Sequence, residues 1–179
     1  MQYFALTIIG RDRPGIVAQV TEILFRLGFN IADSNCSILG GQFSMILIIS
    51  NPHIASKDQF EEDVRHLEET NLSVFIRTMK PGGEIRLDLE GEQCMIAVYG
   101  ADKPGIVYQV AKVLGDHQIN ITDLNTKLIG TAEKPVYVMM IEAILPKDIE
   151  ISAVESWMQG LKQQLQVDIS VRSLIAVEL

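Results

Sequence analysis

Apolar and polar positions along the chain change period in a fixed order. Tyr3-Phe4-Ala5-Leu6-Thr7-Ile8-Ile9 is a nearly continuous apolar run that stops at Gly10, which predicts a buried strand over 3–9. Ile16, Val17, Val20, Ile23, Leu24 and Leu27 then recur at helical spacing and make one apolar face. This helix is expected to begin near Pro14, whose missing N–H is no loss in a first turn, and to stop at Gly28. A second strand spans 30–39, Gly40-Gly41 signals a hairpin, and 43–49 reads as the third strand. Asn51-Pro52 breaks that strand. Ser56-Lys57-Asp58-Gln59 is a capping-box pattern opening a second helix, with Phe60, Val64 and Leu67 on its apolar stripe. A last strand is predicted over 72–76. The order is β-α-β-β-α-β.

The same succession returns downstream. Gly10-Arg11-Asp12-Arg13-Pro14-Gly15-Ile16-Val17 recurs as Gly100-Ala101-Asp102-Lys103-Pro104-Gly105-Ile106-Val107, and 13 of 26 positions agree without a gap between 10–35 and 100–125. Such agreement marks a duplicated domain. The second copy predicts strands near 94–99, 120–129, 136–144 and 167–177. Its first helix carries Ile106, Val107, Val110, Val113 and Leu114. Its second opens with Ser152-Ala153-Val154-Glu155, another capping-box pattern, and buries Val154, Trp157, Met158, Leu161 and Leu165. Two domains are expected, at 1–79 and 94–179. Residues 80–93 read as a linker in which Ile85-Arg86-Leu87-Asp88-Leu89 has the alternation of a short edge strand. The hairpin inside each unit favours an α+β, ferredoxin-like sandwich over a doubly wound sheet. Each unit is then a four-stranded antiparallel sheet with both helices on one face.

Composition narrows the function classes. Net charge is −8, divided as −3 over 1–79, −2 over 80–93 and −3 over 94–179. Neither half is basic and no Lys/Arg cluster offers a footprint for a phosphate backbone, so direct nucleic-acid binding is disfavoured. No run of 18 apolar residues exists, which argues against a spanning helix. Met1-Gln2-Tyr3-Phe4 has neither the basic region nor the cleavage site of a signal peptide, so a cytoplasmic location is expected. Cys36 and Cys94 occupy non-equivalent repeat positions and are expected to be reduced and packed.

The duplicated loop is the candidate for chemistry. Gly10 and Gly15 permit tight turns and close approach of a ligand. The helix start after Pro14 offers unpaired N–H groups and a partial positive end, a cradle for a small carboxylate. Asp12 can accept from an ammonium group, and Asn30 on the following strand has both donor and acceptor atoms. Together these would read both ends of a free amino acid. Asp102, the Pro104-Gly105 turn and Asn120 repeat the arrangement. The same residues also make a good helix start with no ligand, in which Asp12 caps, Pro14 occupies the first turn and Gly15 lets the helix pack on the sheet.

The β-α-β-β-α-β order, the Gly-x-Asp-Arg-Pro-Gly-Ile-Val loop and Gly28-Phe29-Asn30-Ile31 at strand two resemble the ACT domain, in two tandem copies covering essentially the whole chain. Asn30-Ile31-Ala32-Asp33-Ser34 followed by Leu39-Gly40-Gly41-Gln42-Phe43 is similar, within that superfamily, to the family of glycine cleavage transcriptional repressors. The intact second loop suits a broader class of tandem amino-acid sensors. The resemblance implies a regulatory module that binds a small amino acid where two ACT domains meet, with sheets pairing side by side within the chain or between chains. It implies homo-oligomers and a protein partner, either a DNA-binding regulator or a metabolic enzyme. The ligand contacts it implies, with the loop and strand-two positions often supplied by opposite partners, are Gly10, Arg11, Asp12, Arg13, Pro14, Gly15, Ile16 and Asn30 in the first copy. In the second they are Gly100, Asp102, Lys103, Pro104, Gly105, Ile106 and Asn120. No cofactor, metal or catalytic residue is implied.

Other constellations carry less. His53, His66 and His117 form no pair at metal-ligand spacing. Glu61-Glu62-Asp63 and Glu68-Glu69 read as the solvated face of a helix. Asp33 and Asp123 read as a shared strand feature, and Met139-Met140 as core. No nucleophile–base pair is visible, so an enzyme is not expected. The competing reading is an adaptor that pairs through its sheets without a small-molecule ligand.

Overall fold

A computed structural model describes residues 2–80, 91–131 and 133–174. The chain divides into two compact units, Met1–Leu87 and Asp88–Leu179. In the first, β1 (Gln2–Arg11), α1 (Ile16–Arg26), β2 (Asn30–Leu39), β3 (Gln42–Asn51), α2 (Glu61–Arg65) and β4 (Leu72–Thr78) follow in order. In the second, β5 (Glu92–Gly100), α3 (Ile106–Asp116), β6 (Asn120–Thr131), β7 (Lys134–Leu145), α4 (Ile151–Leu165) and β8 (Asp168–Ser173) repeat the succession. The sheets are wholly antiparallel, in the orders β2-β3-β1-β4 and β6-β7-β5-β8. This is the ferredoxin-like arrangement that a central hairpin between two βαβ crossovers dictates.

Each core lies between the sheet and its helices. Phe4, Leu6 and Ile8 of β1 and Met45, Leu47 and Ile49 of β3 meet Ile16, Val20 and Leu24 of α1. Cys94, Ile96 and Val98 meet Ile106, Val110 and Leu114 in the second unit. The alternate residues of each strand face away from the helices and leave Ile9, Ile46 and Phe75 exposed. Met140, expected in the core, is exposed on the corresponding face of β7, because period-two alternation sends it opposite to the buried Met139.

Several local expectations need correction. Helix α1 starts at Ile16 rather than near Pro14, because Gly15 is left-handed at φ 91° and interrupts the helical path; Gly105 does the same at φ 94°. The second helix of the first unit is not continuous. Lys57–Gln59 is a 3-10 turn carrying the capping box of Ser56 and Gln59, α2 is one short turn, and His66–Thr70 is again 3-10. The break is Phe60, at φ −141° and ψ −2°, whose ring packs edge-on against Phe4 and Phe29 at 5.0 and 4.7 Å between centroids. Phe60, Val64 and Leu67 are nonetheless all buried. The box at Ser152 is absent: α4 starts two residues earlier than that cap would place it, Glu150 is its N-cap, and no side chain caps it. Trp157 is only half-buried and stacks on His117. Strand β8 covers part of the predicted 167–177; residues 175–179, like the candidate edge strand 85–89, lie outside the described residues.

Asn51 is more than a strand breaker. Its buried amide donates to the carbonyls of Leu27 and Gly28 at 2.9 and 3.0 Å and satisfies the end of α1.

Candidate functional site

The β1–α1 loop and the β2–β3 hairpin meet at one end of the first sheet. Gly10 pairs with Phe43 and Arg11 with Gln42, and the Asp12 amide donates to the Gly41 carbonyl at 2.9 Å. The hairpin turn that makes this possible uses Gly40 and Gly41 at φ 58° and 76°, the left-handed pair of a two-residue connection. Between the loop, the start of α1 and the edge strand lies an open cleft of about 540 Å³, lined by Asp12, Arg13, Gly15, Ile16, Val17, Ala18, Cys36, Ile38 and Phe43.

The groups at this cleft are distinct. No side chain caps α1 and no acidic residue lies in its first turn, so its leading N–H groups keep their donor capacity and positive end. This removes the capping role considered for Asp12. The Arg13 guanidinium donates to Gln19 Oε1 at 2.6 Å. Pro14 precedes the helix and Arg11 ends β1, both exposed. Ile16 is buried in the core beneath the helix start. Gly10 serves packing: a Cβ there would meet the Asn71 carbonyl at 2.8 Å and Leu72 Cδ2 at 2.7 Å. Gly100 stands in the same relation to Val167. These two glycines therefore admit the segment that leads into the last strand of their own unit.

Asn30 is not at this site. It pairs with Ser50, which pairs with Tyr3, so it sits seven positions from Gly10 along the sheet, roughly 23 Å away. Asn120, opposite Ile144 and Gln93, is likewise at the far end from Gly100. One unit cannot bring Asp12 and Asn30 to the same amino acid. The reason is directional: α1 carries the chain back across the sheet before β2 begins.

Cys36, Ile38 and Phe43 are the lining residues that loop-based reading missed. The signal was available, since the Gly40-Gly41 hairpin must return β3 beside the end of β1. Cys36 is exposed here rather than packed, because β2 is an edge strand and is exposed along its whole length. Asp33 follows a register shift between Ile31 and Asp33, and its carboxylate accepts from the Ser34 amide at 2.7 Å; Asp123 follows the same shift in β6 and accepts from Asn125. The two aspartates thus settle a repeated β-bulge.

The second loop differs in its fixings. Lys103 Nζ donates to the Leu165 carbonyl and Gln166 Oε1, both at 3.0 Å, and so is directed to the end of α4. Tyr137 occupies the position of Phe43, opposite Gly100 and Leu128. Burial pushes its phenol above the ordinary value, the Asp102 charge adds to this, and a hydrogen bond with Thr126 opposes both. Asp102 is exposed, as are Pro104 and Gly105, and Ile106 is buried.

The ACT domain family matches residues 2–74 and again 92–172. The chain belongs to the ACT domain family, in two copies. It is similar to the glycine cleavage system transcriptional repressor of Escherichia coli (strain K12), 28% identical over 122 residues and 68% of this chain. That match takes in 63% of the repressor, so the chain spans less than two thirds of the length of this relative. A crystal structure of an unknown protein from Galdieria sulphuraria superimposes with a TM-score of 0.82, at 23% identity, covering 97% of this chain and 99% of that one. A structure provisionally assigned as a glycine cleavage system transcriptional repressor gives a TM-score of 0.73 at 20% identity, covering 97% of each. These two show the shared fold. Among the described residues no group of three His, Cys, Asp or Glu could hold a metal ion, and no helix is long and apolar enough to cross a membrane.

Proposed function

We propose that this ACT-domain chain is a non-catalytic regulator that binds a small free amino acid at its β1–α1 loops and transmits that binding to a protein partner. The observation that carries the reading is the cleft at the uncapped start of α1, with Asp12 on its rim. The helix start suits the carboxylate of a zwitterion and Asp12 suits its ammonium. The wholly exposed β2 edge supports assembly with a second copy. Two β2 edges paired antiparallel about a two-fold axis carry Asn30 of one copy toward the loop end of the other, which one unit alone cannot do. A ligand gripped from both sides binds the paired state better than the separate one, and so shifts assembly. The acidic, evenly divided charge favours control of transcription through a DNA-binding partner, with a metabolic enzyme as the other class of client.

Calorimetry over a panel of amino acids tests this. Binding of at least one at millimolar concentration or below is expected, and Asp12→Ala or Asn30→Ala should weaken it without lowering the unfolding midpoint. Silence across the whole panel would remove the sensor. A stable partner together with no ligand response would favour the adaptor reading.

A further inference from the structure

The two loops share their turn but not the wall behind it. Apart from Asp12, Arg13 and Gly15 at the loop, the first cleft is walled by Ile16, Val17, Ala18, Cys36, Ile38 and Phe43. Ile38 and Val17, 60% and 44% exposed, are the wet part of this wall, while Ile16 and Phe43 are buried behind it. The equivalent positions of the second unit follow from the repeat and from strand register: Tyr108 for Ala18, Thr126 for Cys36, and Tyr137, facing Leu128, where Phe43 faces Ile38. All three exchanges add a hydroxyl. The Tyr137 hydroxyl is engaged with Thr126 within the influence of Asp102.

Resting on the reading of the loops as amino-acid sites, we infer that they are not duplicates but take different ligands: the first an amino acid with an apolar side chain, the second one whose side chain forms hydrogen bonds. A guest anchored by its ammonium on Asp12 lies beside the Cys36–Ile38–Phe43 wall. Glycine leaves that wall in water, whereas each methylene buried against it tightens binding by roughly four-fold. At the second loop the same apolar group would strip water from the exposed Tyr108 hydroxyl and from the free side of Thr126 without replacing it, and a buried polar group without a partner is penalised. A hydroxyl or amide side chain satisfies them. The chain then reports on two metabolites, not on two molecules of one.

Single-loop variants of the full chain separate the sites. Asp102→Ala leaves the first loop, Asp12→Ala the second. Titration calorimetry with glycine, serine, valine and leucine is expected to show valine or leucine binding the Asp102→Ala protein roughly tenfold or more tighter than glycine or serine. The Asp12→Ala protein should prefer serine to valine. The exchange Ala18→Tyr, Cys36→Thr, Phe43→Tyr should transfer the second loop's order to the first. Should the triple variant not fold, Cys36→Thr alone, at an exposed position, should lower the valine-to-serine ratio at least threefold. The same order of preference in both single-loop variants would overturn the inference while leaving the proposed function intact. No binding by the unmodified chain would overturn both.

Discussion

Gly28 and Gln118 do the same work with different aptitude. Both follow the first helix of their unit in the left-handed region, at φ 71° and 57°, and both sit in a motif whose two amides fold back onto helix carbonyls. Gly28→Ala should destabilise by about 1–2 kcal/mol, since a Cβ is disfavoured there by that amount per residue. Gln118→Gly should stabilise by about 0.5–1 kcal/mol, the left-handed penalty less the added chain entropy of glycine. Urea midpoints of the two variants would check both signs; a loss of stability at Gln118→Gly would contradict the second. Gly28 was readable as a stop because a glycine after an apolar stripe has few other uses. Gln118 was not readable, since nothing in a glutamine announces a left-handed backbone. Gly10 was read as admitting a ligand because its neighbours Asn71 and Leu72 are distant in sequence. Their approach to within 3 Å of its missing Cβ is a property of strand pairing.

Elements divided in the same way. Strand β2 over Asn30–Leu39 and the Gly40-Gly41 turn are where local chemistry placed them. The Ser56 box was also right as chemistry, but it caps a 3-10 turn, and the helix expected after it is broken at Phe60. Edge-on packing with Phe4 and Phe29 outweighs one turn of helix hydrogen bonding, a contest no local pattern reports. Phe60→Ala should cost about 3–5 kcal/mol through lost burial and cavity. Thermal unfolding should then show the Met1–Leu87 unit melting before the other, and a single unshifted transition would contradict this. His66 offers a pH readout in the same segment. Its Nδ1 lies 2.8 Å from the Glu62 carbonyl, and that hydrogen bond, followed by the charges of Glu69, Asp63 and Glu62, raises its value above the ordinary 6.5. The protonated form is therefore favoured by folding. Its contribution is complete below 6.5 and disappears as pH rises through the raised folded value. The stability gap between the parent and His66→Asn should be wider at about pH 5.5 than at about pH 8.5, and an equal gap would show that His66 does not couple to folding.

At the scale of the molecule, duplication and exposed edges set the expectations. Strands β2 and β6 are exposed almost throughout, and among the described residues each is the edge strand of its sheet. If assembly runs through β2, a charge at the middle of that edge opposes it. Ser34→Lys should shift the sedimentation of the chain to a smaller species and weaken the response to amino acid, with the unfolding midpoint little changed. An unaltered sedimentation profile would place the assembly surface elsewhere. Asn30 makes the same point. Its presence in both copies was visible, but only strand register shows that it and Asp12 lie at opposite ends of one sheet, so the proposed ligand would draw on it from a second edge.

Residue order alone determined the repeat, the β-α-β-β-α-β succession, the hairpin and the loop with its proline and glycines. Each is a local matter of periodicity, backbone freedom or lost N–H groups, and a short window of chain suffices to state it. Tertiary structure decided which side chains stand behind the loop, that Gly10 yields to β4, that Phe60 leaves the helix, and that Asn30 lies at the other end of the sheet. Those depend on which strands become neighbours and in what register. Pairing brings together residues tens of positions apart, through contacts that neither partner's own stretch of chain contains.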